Sequence, residues 1–77
     1  MTNLFDRLKL HDFILTEYNM YKHGTKSYTF ETDSDDKIYV EVSTTGLITI
    51  ITRGEITIEA MREIVAIDWE AIYYELW

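Results

Sequence analysis

The residues most able to do chemistry in this sequence are carboxylates, and the densest group is the run Asp33-Ser34-Asp35-Asp36. Clustered aspartates can bind calcium, but an EF-hand loop needs Gly at its sixth position and Glu at its twelfth. Counted from Asp33, those positions hold Ile38 and Thr44. The run is instead typical of a polar β-turn, in which Asp and Ser side chains bond to the nearby backbone.

A second pair of carboxylates, Glu59 and Glu63, is spaced so that both lie on one face of a helix. Glycosidases use paired carboxylates but also need a cleft and a sugar-binding platform, so this pair indicates a solvated acidic face. His11 and His23 stand in no metal-ligand spacing, and the sequence has no nucleophile elbow and no glycine-rich phosphate loop. We therefore predict a protein that is not an enzyme and that uses no metal or cofactor.

The strongly negative net charge of the chain indicates which classes of molecule it can bind. Fourteen acidic residues against seven basic ones give a net charge of −7. Residues 55–77 carry six acidic side chains and one basic one, a net of −5. Nucleic acids and anionic membranes favour clustered Lys and Arg, so neither is expected as a direct ligand. The balance favours a basic protein partner, which complementary charge would steer into contact.

Composition also favours a cytoplasmic location. The chain has no cysteine, which fits a reducing compartment. Its first residues lack the basic start and apolar run of a secretory signal. No stretch approaches the roughly 18–20 apolar residues needed to cross a bilayer. We expect a cytoplasmic protein that does not enter membranes.

Hydrophobic periodicity predicts the elements that must position these groups. Residues 26–32 and 37–43 alternate apolar and polar side chains, which indicates half-buried antiparallel strands. Residues 13–22 fit a helix or a strand, and we favour the strand because the following residues then form a hairpin loop. Residues 47–53 are apolar on both faces, which indicates a strand that is central or covered on both sides.

Helices are expected at both ends of the chain. Residues 3–11 have helical spacing after a possible Asn3 cap, and Thr57 can cap a helix that begins at Ile58. Asp68 interrupts the apolar face and can start a second short helix, Trp69 to Leu76. We predict one α+β domain over residues 1–77: an antiparallel meander of three or four strands with a short N-terminal helix and one or two C-terminal helices.

In size, charge and element order the chain resembles small phage-encoded inhibitors of host defence, anti-CRISPR proteins among them. Several of those proteins are short, acidic, cysteine-poor α/β domains. The resemblance covers the whole chain and rests on no shared motif, so no functional residue is carried over from it. It implies a non-enzymatic inhibitor that occupies a basic nucleic-acid-binding surface of a nuclease complex.

Two functional hypotheses follow. In the first, acidic faces dock a basic protein as a nucleic acid would, and aromatic residues supply buried anchors. The residues predicted to contact the partner are Asp33, Asp35, Asp36, Tyr39, Glu59, Glu63, Glu70 and Trp77. In the second, the chain is an assembly module that forms a homodimer through an apolar sheet face around residues 47–51 or through its aromatic C-terminus.

Overall fold

A computed structural model describes residues 11–69 of the 77-residue chain. The described part is a four-stranded antiparallel sheet followed by one helix. Neighbours in sequence are neighbours in the sheet, in the order β1-β2-β3-β4. The elements are β1 Ile14–Met20, β2 Lys26–Glu31, β3 Lys37–Val42, β4 Ile48–Arg53 and α1 Ile58–Val65.

All three hairpins use one turn design, with an inner and an outer backbone hydrogen bond. In the β3–β4 turn the Gly46 N–H donates to Ser43 O at 3.1 Å, and the Ser43 N–H donates to Leu47 O at 2.9 Å. In each turn, the residue just before the carbonyl that accepts the outer hydrogen bond has a positive φ. These residues are Gly24, Asp35 and Gly46. Glycine and aspartate tolerate this left-handed conformation, which explains why a chain without proline still turns sharply.

The pairing register sorts the strands into two faces. On the first face, the central cross-strand row joins Tyr18, Tyr28, Val40 and Ile50. Tyr28, Phe30, Ile38 and Val40 on this face are fully buried. The second face carries the alternate residues, including Thr29, Tyr39 and Ile51 in one row. The alternation predicted for residues 26–32 and 37–43 is confirmed.

Helix α1 closes the core over the first face. Thr57 caps it, because its side chain accepts a hydrogen bond from the Ala60 N–H at 3.1 Å. Ala60 and Ile64 are buried against the sheet. Beyond the helix, Trp69 lies over Tyr28, with ring centroids 4.9 Å apart, and its Nε1–H donates to Ile64 O at 3.3 Å. The core therefore lies between one sheet face and one short helix.

The predicted α+β class with helices at both ends is wrong for the described chain, which is a four-stranded meander with a single helix of eight residues. The helix ends at Val65 because Ile67 and Trp69, two residues apart, both enter the core. That spacing does not fit one face of a continuing helix. The predicted helix over residues 3–11 and the predicted helix from Trp69 to Leu76 fall almost entirely outside the described residues.

Two strand predictions had different outcomes. Residues 14–20 form a strand, as favoured over a helix. The expectation of a covered or central strand at residues 47–53 is wrong, because β4 lies at the edge of the sheet. Ile48 and Ile51, on opposite faces of β4, are 46% and 57% exposed. Among residues 11–69, no helix is long and apolar enough to span a membrane.

Candidate functional site

The strongest candidate site is a cleft of about 750 Å³ at the end of the sheet where β1 begins and β4 ends. Three separate stretches of chain meet there: the residues before β1, the β2–β3 turn and the β4–α1 connection. Together they bring four carboxylates to one cleft, and we call this group the acidic end. It consists of Asp12, Asp33, Asp36 and Glu55.

Asp36 holds two of these stretches together. Its Oδ1 accepts a hydrogen bond from the Glu55 N–H at 2.9 Å, and its Oδ2 accepts one from Thr32 Oγ1 at 3.3 Å. The Asp36 N–H in turn donates to Thr32 Oγ1 at 3.2 Å. Hydrogen bonds to a charged carboxylate are stronger than neutral ones. Asp36 therefore fixes the geometry of the cleft as well as adding charge to it.

Gly54 makes this connection possible. Its φ is +88°, a left-handed conformation that favours glycine. A Cβ at this position would collide with Asp36 Oδ1, so the backbone can approach the carboxylate only without a side chain. As a consequence, the next residue, Glu55, lines the cleft, and its N–H donates to Asp36.

The lining of the cleft is negative and partly apolar. Among residues 11–69, no Lys or Arg lines the cleft, and the one other titratable group that lines it is His11. Phe13 forms a buried part of the wall and Ile14, which is 57% exposed, borders it. Within residues 11–69, no group of three or more His, Asp or Glu side chains is placed to hold a metal ion. The arrangement suits a positively charged ligand with an aliphatic stem, such as a Lys or Arg side chain.

Six of the predicted contact residues lie within the described chain, and the structure brings three of them together and separates the other three. Asp33 and Asp35 are exposed in the β2–β3 turn beside half-buried Asp36, which is structural. Glu59, exposed, and Glu63, half-buried, lie on α1 and do not line the cleft. Glu70 and Trp77 lie outside the described residues.

Tyr39, the predicted aromatic anchor, lies in the middle of the second face. It is half-buried, and its hydroxyl donates to Glu41 Oε2 at 3.2 Å. Partial burial, and after it the negative charge of Glu41, raises the pKa of Tyr39 above its usual value. Tyr39 pairs across the strands with buried Thr29, so its half-buried side chain covers part of the second face.

Sequence reasoning missed Asp12 and Glu55. Asp12 precedes β1 with a φ of +64°, and Glu55 follows the left-handed Gly54. Neither belongs to a motif, and residues 12, 33 and 55 are far apart in sequence. The one available signal was Gly54, which marks a sharp change of direction before the helix.

Apolar surface is exposed in two further places. Along β4, Leu47 is 72% exposed, in addition to Ile48 and Ile51. On α1, Ile58 and Val65 are 68% and 65% exposed. These are the two regions of the described chain where large apolar side chains are most exposed to solvent. In comparisons with known proteins, no family model, no curated protein and no solved structure matches this chain.

Proposed function

We propose that this chain is a non-enzymatic protein-binding module whose acidic end receives Lys and Arg side chains of a basic protein. The observation that carries the proposal is the convergence of Asp12, Asp33, Asp36 and Glu55 on one cleft, where the part of the chain that the structure describes places no Lys or Arg. Carboxylates that repel one another are costly to gather, and a cationic partner relieves that cost. The aromatic and aliphatic wall at Phe13 offers contact for the stem of a long basic side chain.

In this proposal the partner is a nucleic-acid-binding protein of the cytoplasm, and the acidic end occupies the surface that its nucleic acid would take. The chain's net charge of −7 supports such a role, since complementary charge accelerates encounter. A phage-type inhibitor of a host defence complex is one protein of this kind. The rigid tie through Asp36 supports it further, because a preorganised surface loses less entropy on binding.

The test is a titration of the full chain with an arginine-rich octapeptide at low salt. The double variant D33N/E55Q removes two exposed charges of the acidic end and leaves Asp36 in place. The matched control, E17Q/E59Q, removes two charges that are also exposed and lie elsewhere. Single exposed charges contribute up to about 1 kcal/mol, so we expect D33N/E55Q to weaken binding by about 3- to 30-fold.

The control variant is expected to bind within about 2-fold of the wild type, because its charges lie away from the cleft. Raising the salt to 0.5 M should weaken the wild-type complex strongly, since exposed charges are then screened over a few ångströms. Equal losses in the two double variants would show that only net charge matters, and the acidic end would not be the site.

A further inference from the structure

The outer edge of β4 presents backbone groups that pair with no other described residue. The Ser43 N–H donates to Leu47 O at 2.9 Å, so this is a hydrogen-bonded pair of the β3–β4 hairpin. Hydrogen-bonded and non-hydrogen-bonded pairs alternate along an antiparallel ladder. It follows that Ile48, Ile50 and Thr52 direct their N–H and C=O groups away from β3. Within residues 11–69, no strand lies beyond this edge.

This edge also lacks the devices that normally prevent pairing. Natural sheets protect their edges with charges, prolines, bulges or very short strands. The opposite edge, β1, has an irregularity between Leu15 and Glu17, and Glu17 is an exposed charge. The regular six-residue β4 has no proline and carries a single charge, Arg53 at its end. Its apolar residues are exposed on both faces of the strand, as Ile48 and Ile51 show.

We infer that β4 pairs edge to edge with β4 of a second copy of this chain, in antiparallel orientation, with the two Ile50 residues opposite each other. In this register, the residues whose N–H and C=O groups point away from β3 face one another across the two copies. Ile50 pairs with Ile50, and Ile48 pairs with Thr52. About six new backbone hydrogen bonds form. On the first face the apolar row that ends at Ile50 continues into the second copy, and on the second face Ile51 meets Thr49.

The distribution of charge favours the antiparallel orientation of a second copy over the parallel one. The acidic end lies where β4 finishes, whereas the opposite end of the sheet carries Lys22, His23 and Lys26 in and beside the β1–β2 loop. Antiparallel pairing places the two acidic ends at opposite ends of the joint eight-stranded sheet. Parallel pairing would set them side by side. The strand itself brings no carboxylate to the contact, although the chain as a whole is strongly acidic.

The interface is small, so the dimer is expected to be weak. Pairing through a single six-residue strand buries less than the roughly 1,200–2,000 Å² of a standard stable interface. Self-association should therefore be sought by sedimentation of the full chain from about 1 µM to about 1 mM, the range of weak complexes. A single monomeric species over that whole range would overturn the inference.

Two matched variants locate the contact. Ile48 and Met20 lie in the same cross-strand row at opposite edges of the sheet, and they are 46% and 50% exposed. I48K places a charge on the β4 edge, and we expect it to raise the dimer Kd at least about 10-fold. M20K makes the same change on β1 and should leave the Kd within about 2-fold. Equal effects of the two variants, or a larger effect of M20K, would overturn the inference.

Amide hydrogen exchange on the wild type provides a readout that does not depend on how a variant folds. Exchange of the Ile48, Ile50 and Thr52 amides should slow as concentration rises, because those N–H groups become bonded in the dimer. The Tyr18 and Met20 amides on β1 should show no such dependence. Exchange at β4 that is independent of concentration would contradict edge pairing, even if the chain were dimeric through another surface.

Discussion

Replacing Gly54 with alanine tests how the acidic end is built. Two costs are expected. Alanine at a φ of +88° is strained by about 1–2 kcal/mol. Its Cβ must also displace Asp36 Oδ1, which then loses the hydrogen bond from the Glu55 N–H. Bonds to charged groups contribute about 1.5–3 kcal/mol, and partial exposure reduces this one to about 1 kcal/mol.

Gly46→Ala is the matched control. Gly46 has nearly the same φ, +87°, but a Cβ there meets no atom within 4 Å. G46A should therefore cost only the backbone strain, about 1–2 kcal/mol, whereas G54A should cost about 2–3 kcal/mol. The difference between the two losses of unfolding free energy measures the contact between the added Cβ and Asp36.

The assay is urea unfolding of both variants and the wild type, with thermal unfolding as a second measure. For a domain of this size about 1 kcal/mol corresponds to a change in Tm of roughly 4–8 °C, so the two variants are resolvable. In a D36A background the extra cost of G54A should shrink, because the obstructing carboxylate is gone. Equal destabilisation by G54A and G46A would refute the idea that Gly54 is required by Asp36.

Three further predictions concern the core and the helix. Burial, and after it the neighbouring Tyr18, raises the pKa of Tyr28 to about 12, and its hydroxyl has no hydrogen-bond partner among residues 11–69. Because the folded-state pKa lies above the unfolded value of 10, burial of the neutral phenol carries no ionisation cost below pH 10, and stability is lost as pH rises from 10 towards 12. Y28F should be neutral or stabilising by up to about 1 kcal/mol at pH 7 and should lessen the alkaline loss, measured by urea unfolding at several pH values. T57A removes the acceptor of the Ala60 N–H and should destabilise the protein by about 1 kcal/mol, seen as a lower urea midpoint with reduced helical circular dichroism. Ile64 is fully buried, whereas its neighbour Val65 is 65% exposed. I64A should therefore lower the free energy of unfolding by about 2–5 kcal/mol, and V65A should change it by no more than about 0.5 kcal/mol. Similar losses in the two variants would contradict the packing of α1.

The sheet was largely predictable from the sequence because its information is local. The alternation of Ile38, Val40 and Val42 with polar neighbours has a period of two, and turn residues separate the strands at each end. These signals fixed the faces of β2 and β3. The Thr57 cap likewise marked the start of α1.

Properties that depend on distant residues were not predictable in the same way. The apolar residues of β4 suggested burial, but β4 follows β3 as the last strand of the meander, and nothing among the described residues covers its outer edge. The end of α1 at Val65 was not predicted, because the entry of Ile67 and Trp69 into the core overrides the helical pattern.

The candidate site shows the same limit. Asp33 and Asp36 were predicted as contact residues because they are close in sequence. Asp12 and Glu55 join them only through the antiparallel order of strands and the turn at Gly54. The structural role of Asp36 also depends on a backbone N–H that is 19 residues away. A single sequence carries no direct record of such long-range contacts.

The most direct test of a cation-binding acidic end is to map, by NMR, the amides of the full wild-type chain that shift on titration with the arginine-rich octapeptide. We predict that the largest shifts fall in residues 11–14, 32–36 and 54–57, the three stretches that form the cleft. They should diminish together as salt is added. Shifts centred instead on Tyr39 and the second face, or on α1, would contradict the account.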